Sequence, residues 1–319
     1  MAVSLSEKRH GAVLIQSDFR LFETAGVIPL HPRGGDREEK LMRKSEATLV
    51  EGCRVFVWEH LHPRCDVFFL HGLPLSSGIF GKQFESHLFD ECRLISVDLP
   101  GHGESPPAAD PMAIYSLPSL GRLVAAIAHQ VCRNPVIYVG HSLGGHLLLE
   151  GFEGLYSPAG IVLSGNAPLG TQVDFAQCYH TDLPAFGALF QEVYDEEAVE
   201  AICRVLFAPD YPTPQDVKEM VRSSDGGLRT GILDMSEEDR TPRDEVAVAS
   251  SLSIPLAILQ GEQDQSTRLD YLRLLQLPTL WRGEIQIIPG AGHCPQWEKA
   301  DDYNNLLSAF IREALPTLS

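Results

Sequence analysis

The sequence predicts an α/β fold: a mostly parallel central sheet with helices on both faces and an inserted helical cap. Three observations predict it. Short runs rich in β-branched and aromatic residues alternate with segments of helical period along most of the chain. One such strand, Val136 to Gly140, turns abruptly through His141-Ser142-Leu143-Gly144 into the start of a helix. After a further strand, helical stretches alone fill residues 169–246, and strand signals then resume.

Residues 1–44 combine a short apolar stretch, Ala12 to Ile15, with the polar run Pro32 to Lys40, and they read as an N-terminal arm with little regular structure. Strand signals follow at Thr48 to Glu51, Val55 to Trp58, Val67 to Leu70 and Arg93 to Val97, with a helix expected over Gln83 to Phe89. Leu120 to Val131 has apolar residues at helical spacing and leads into the Val136 strand, and Ala159 to Ser164 forms the next strand. Residues 45–168 and 247–319 thus make the core. Residues 169–246 make the cap, with helices at Leu183 to Tyr194, Glu196 to Leu206 and Thr213 to Ser223. Ile254 to Gln260 and Glu284 to Ile288 complete the sheet, and Ala300 to Leu315 closes the chain as a helix. A cap in this position covers the strand ends, where open α/β sheets bind ligands.

At 319 residues and 44% hydrophobic content the chain can bury a large core. Its formal net charge of -18, with no basic cluster to offset it, argues against nucleic acid and anionic membranes as partners. The start of the chain lacks the apolar run of a signal peptide, and nowhere does the sequence reach a membrane-spanning length, so a cytoplasmic protein is expected. The seven cysteines are scattered without a C-x-x-C pair, which suits reduced thiols.

Gly140-His141-Ser142-Leu143-Gly144 has the G-x-S-x-G pattern of a nucleophile elbow, in which a strained turn lifts a serine hydroxyl clear of the sheet and glycines remove side chains that would collide. The amide of Leu143, at the helix start, points where an oxyanion would form. A serine nucleophile needs a base and a third group to orient that base. The strand Ile254 to Gln260 runs into Gly261-Glu262-Gln263-Asp264, which makes Asp264 the candidate acid, ahead of Glu262 and Asp270. The strand ending at Ile288 runs into Pro289-Gly290-Ala291-Gly292-His293, which makes His293 the candidate base. All three fall at the C-terminal ends of strands on one sheet edge. A second oxyanion donor is expected after the Val67 strand, at Leu73, because Pro74 has no N–H.

Together with His71-Gly72 and the segment Asp98-Leu99-Pro100-Gly101-His102-Gly103-Glu104-Ser105, these motifs resemble the α/β-hydrolase fold superfamily over residues 48–315. Within it, Leu73 to Phe80, Gly160 to Pro168, Val221 to Gly226 and Leu280 to Gly283 ahead of Gly290-Ala291-Gly292-His293 look like the α/β-hydrolase type of N-acyl-homoserine lactonase. The chain departs from that type at Asp264, where glutamate occurs in such lactonases, and at the apolar Leu73. The resemblance implies a serine hydrolase acting on a small apolar ester or lactone through an acyl-enzyme, without metal or cofactor.

Other readings stay open at this level. Phe175, Tyr179, Phe186, Phe190 and Tyr194 either line an acyl pocket or form the cap's own core. His141 and His146 suit helix-surface or packing roles, His102 supports its turn, His60 and His62 read as solvated, and Cys294 reads as a bystander thiol. A thioesterase, amidase or carbon–carbon bond hydrolase would use the same triad, and a receptor of the same fold could keep it only to bind a ligand. Oligomeric state is not legible.

Overall fold

The computed structural model describes residues 44–315 apart from 60, 61, 235 and 237–239. Of the arm expected over residues 1–44, residues 1–43 lie outside the described residues, as does His60, and Lys44 opens the first strand. One eight-stranded sheet runs through the protein in the order β1-β2-β4-β3-β5-β6-β7-β8. β1 (Lys44–Val50) and β2 (Cys53–Glu59) form an antiparallel pair, and β2 also lies antiparallel to β4 (Cys92–Val97). β3 (Cys65–Leu70), β4, β5 (Val136–His141), β6 (Pro158–Ser164), β7 (Leu256–Gly261) and β8 (Gln286–Ile288) are mutually parallel.

The central strands are apolar without alternation because both faces of the sheet are covered. Along β3, Phe68 and Leu70 enter one core while Val67 and Phe69 enter the other, and all four are fully buried. Before β5 stand the short α1 (Gly81–Phe84) and α2 (Pro111–Ile114) and the long α3 (Leu117–Val131). Ser116 caps α3 by accepting from Ser119 N, and Pro118 is tolerated in the first turn, where its missing N–H has no partner to lose. The single helix expected over Gln83 to Phe89 is instead broken. α1 ends at Phe84, and a separate 3-10 turn spans His87–Phe89, started by Ser86 accepting from Leu88 N.

α4 (Leu143–Glu150) follows β5. Between β6 and β7 lie α5 (Phe175–Cys178), α6 (Pro184–Leu189), α7 (Glu196–Leu206), α8 (Gln215–Ser223), α9 (Gly226–Gly231) and α10 (Glu245–Ser251), with no strand of the sheet among the described residues there. α6 stops at Leu189, short of the expected Tyr194, and the chain beyond it is held from another helix. The carbonyls of Gln191 and Glu192 accept from the Arg229 guanidinium, whose plane lies 3.7 Å from the Tyr194 ring centre. α11 (Leu269–Leu272), α12 (Pro295–Glu298) and α13 (Ala300–Ala314) complete the chain. No helix among the described residues is long and apolar enough to cross a membrane.

Three buried histidines give this fold a pH response. Burial pushes His71 down to about 4 and His102 and His141 down to about 3, so each is neutral at pH 7. As pH falls below 6.5 the unfolded chain takes up protons that the folded chain refuses, and each histidine then removes up to about 1.4 kcal/mol of stability per pH unit. Glu150, pushed up to about 7 by burial, works the other way over part of that window but offsets only one of the three. Urea midpoints are therefore expected to drop between pH 6.5 and about 4.5; a midpoint that rises across that window would contradict the assignment.

Candidate active site

Ser142 lies between β5 and α4 with φ 50° and ψ -120°, a left-handed conformation that a non-glycine residue occupies only when its surroundings impose it. Its N–H donates to Ser164 O at 2.8 Å, and its carbonyl accepts from Gly145 N at 2.9 Å and from Asn166 Nδ2 at 3.0 Å. The turn is tight enough that a β-carbon on Gly144 would stand 2.2 Å from the Leu70 carbonyl oxygen. Ser142 is partly exposed, while Leu143 beside it is buried. The Ser142 hydroxyl has no hydrogen-bond partner among the described residues, so its link to the histidine described next is open.

His293 follows β8 and is 5% exposed. Its Nδ1 lies 2.9 Å from Asp264 Oδ2 and 2.7 Å from Ser266 Oγ. Asp264 follows β7, and its carboxylate gathers further donors: Gln260 Nε2 at 2.7 Å on Oδ2, and Ser266 N at 2.8 Å, Ser266 Oγ at 2.9 Å and Thr267 N at 3.2 Å on Oδ1. Burial alone would raise this carboxyl, but the facing imidazole and these donors hold it well below the usual carboxylate range. Asp264 is thus ionised, and Nδ1–H of His293 donates to it, which leaves Nε2 as the ring's free base. Glu262 is occupied elsewhere, accepting from Gly290 N at 2.9 Å, and Asp270 lies within 3.4 Å of Arg273 at the surface. Of the candidate acids, Asp264 is the one that meets His293.

His141 joins the two halves of the site. Its ring centre is 4.9 Å from that of His293, and its Nε2–H donates to the His293 carbonyl at 2.9 Å. It therefore fixes the backbone of the base from the residue next to Ser142. His71 plays a similar part below the Leu73 turn, donating from Nδ1 to Gly72 O at 2.9 Å and accepting Leu99 N at Nε2 at 3.0 Å. The amides of Leu73 and Leu143 donate no hydrogen bond among the described residues. Cys294 is buried, which pushes its thiol well up and keeps it unionised.

The aromatic candidates divide. Phe175 stacks on Tyr179 with centroids 4.7 Å apart, Phe186 lies 5.4 Å from Phe175, and Phe190 lies 5.3 Å from Phe186, forming one continuous row. Tyr194 is not in that row; it packs under Arg229 and donates its hydroxyl to Leu189 O at 2.7 Å. The Tyr179 hydroxyl reaches inward to His146 Nε2 at 2.8 Å and Ala167 N at 2.9 Å, and His146 Nδ1 in turn meets the fully buried Glu245 at 2.8 Å. His146 is therefore not on a solvated helix surface. It lies in a buried polar chain that ties α4 to α10 and to the aromatic row.

Sequence reasoning missed Ser266, Gln260 and this His146–Glu245–Tyr179 chain. Ser266 had a usable signal, two residues past the acid at a strand end. Gln260 stands four residues before the acid at the same strand end, while the His146–Glu245–Tyr179 chain had no local signal because its members come from distant segments.

The sequence profile of the alpha/beta hydrolase family matches residues 67–306, well over half of the chain. The chain belongs to this family. Among curated relatives, this α/β hydrolase is 25% identical over 276 residues to the AB hydrolase superfamily protein YisY of Bacillus subtilis (strain 168), covering 82% of this chain and 96% of that protein. It is also 25% identical over 267 residues to the pimeloyl-[acyl-carrier protein] methyl ester esterase of Xylella fastidiosa (strain 9a5c), covering 76% of this chain and 93% of the relative. Among solved structures, it is similar to the N-acyl homoserine lactonase AidH complexed with N-butanoyl homoserine, with TM-score 0.77 and 25% identity, covering 86% of this chain and 98% of that one.

Proposed function

We propose that this α/β hydrolase cleaves a carboxylic ester or lactone by way of an acyl-enzyme. The observation that carries the reading is the ionised Asp264 held 2.9 Å from His293 Nδ1, with Ser142 in its strained elbow after β5, at the same C-terminal edge of the parallel strands. Ser142 Oγ attacks the substrate carbonyl as its proton passes to His293 Nε2, a contact that closes once substrate is bound. The carbonyl oxygen becomes an oxyanion, received by the amides of Leu73 and Leu143, each such donor being worth roughly 3 kcal/mol in the transition state. The bond to the alkoxide then breaks, and His293 returns the proton to the leaving alcohol. Water attacks the acyl-serine with His293 again as base, releasing the acid and restoring Ser142. With a lactone, acid and alcohol remain on one ring-opened molecule.

Residues 169–246 act as a cap, and the row Phe175, Tyr179, Phe186 and Phe190 offers an apolar wall for an acyl chain. Likeness to a lactonase bound to an acyl-homoserine product supports N-acyl-homoserine lactones within this class. Mass spectrometry after a fluorophosphonate probe is expected to find the label on Ser142. A panel of acyl-homoserine lactones and p-nitrophenyl esters of equal acyl length is then expected to show faster opening of the lactones. Label absent from Ser142 in folded protein would remove the mechanism, while esters outpacing lactones would remove only the narrower substrate.

A further inference from the structure

Glu298 takes no part in the steps above, yet its carboxylate is buried close to them, with the residue 9% exposed on α12. Its partners are backbone amides. Oε1 accepts from Gly292 N at 2.8 Å, and Oε2 accepts from Ala208 N at 2.8 Å. Burial raises this carboxyl, and the backbone amides facing it together with the nearby His293 draw it back. Gly292 and Cys294 are the residues on either side of His293 in the chain. Ala208 lies just past the C-terminal end of α7.

Other contacts cross the same seam. Cys294 N donates to Leu206 O at 3.0 Å, and Gln265 Nε2, beside the acid, donates to Arg204 O and Phe207 O at 2.9 Å each. The approach is so close that a β-carbon on Gly292 would stand 2.2 Å from Ala208 N. A buried carboxylate is costly to keep, and here its hydrogen bonds converge on the short stretch that aims the base.

We infer that Glu298 is a positioning residue, holding the loop of His293 against the end of α7 and thereby fixing where the imidazole meets Ser142. This rests on the triad reading. A displacement of about 1 Å at such a site can cost on the order of a hundredfold in rate.

The test is Glu298→Gln, which keeps the shape but turns one acceptor into a donor facing an N–H, so Gly292 or Ala208 must lose its partner. Active sites are counted by fluorophosphonate titration, and turnover of a short p-nitrophenyl ester is expressed per titrated serine. The expected result is kcat lower by about ten- to a hundredfold with KM unchanged, and a smaller loss in Glu298→Asp, which keeps both acceptors but withdraws them. A residue that merely supports folding would lower the titrated fraction and leave kcat per titrated serine at the wild-type value, and that result overturns the inference. Hydrogen exchange on the wild-type protein gives an independent reading if both variants fail to fold: the amides of Gly292 and Ala208 are expected to be protected, and exchange at open-loop rates overturns the inference. Missing label at Ser142 in wild-type protein would defeat the triad reading and this inference together. Normal labelling with unchanged kcat in Glu298→Gln would defeat the inference alone.

Discussion

Replacement of Ser142 by alanine is expected to lower ester turnover by about 10⁴- to 10⁶-fold, since the attacking oxygen is removed while the rest of the site remains. The protein should stay folded, because alanine meets the same φ of 50° that serine already tolerates. Ser142→Gly separates the two roles of this position further. Without a β-carbon the left-handed turn is relaxed, so this variant is expected to be equally inactive and more stable than wild type by about 1 kcal/mol. Turnover measured beside a denaturant midpoint checks both halves. An alanine variant retaining a tenth of wild-type activity would mean that another group attacks the substrate.

The second large effect is expected at Asp264→Asn, with a loss of roughly 10⁴-fold in kcat. The carboxylate is surrounded by donors: Gln260 Nε2, Ser266 N, Ser266 Oγ, Thr267 N and His293 Nδ1. An asparagine there must aim its NH2 at one of them. If the amide faces Nδ1, the imidazole is driven to the tautomer with its proton on Nε2, and it can no longer accept the proton of Ser142. If the amide turns the other way, it confronts the donors of Ser266 and Thr267 and the acid loop is destabilised. Steady-state kinetics alongside thermal melting distinguishes these routes. A variant within tenfold of wild type would show that Asp264 does not orient the base, and Ser266, whose Oγ is 2.7 Å from Nδ1, would become the residue to mutate next.

Much of this fold was legible because parallel strands buried on both faces leave a plain mark. Val67 to Leu70 and Val136 to Gly140 are unbroken apolar runs for that reason, and both lie in central strands. The elbow was legible because its glycines and serine answer a local backbone demand. The segment Gln83 to Phe89 is not the one helix expected, since α1 ends at Phe84 and Ser86 restarts the chain by capping a separate turn. The chain past α6 was hidden for a different reason: it is held by Arg229, a residue of another helix that claims the carbonyls of Gln191 and Glu192. In the site, Asp264 and His293 could be picked out because they follow strands directly. His141 and Glu298 act through contacts to distant backbone that exist only after the sheet has assembled, so no local pattern announces them.

The strand that delivers His293 is also the sheet's last and shortest. β8 spans Gln286–Ile288 and pairs with β7 alone, whereas Ser142 is set into the middle of the sheet by β5, with β3 on one side and β6 on the other. A nascent polypeptide emerging from the ribosome can therefore organise its central layers around the serine before the proposed base is made. On the proposed mechanism, reactivity arrives only once β8 has joined β7. If the proposed roles hold, proteolytic clipping ahead of β8 is expected to return the protein to a silent condition, leaving the alcohol in place with nothing to draw off its proton.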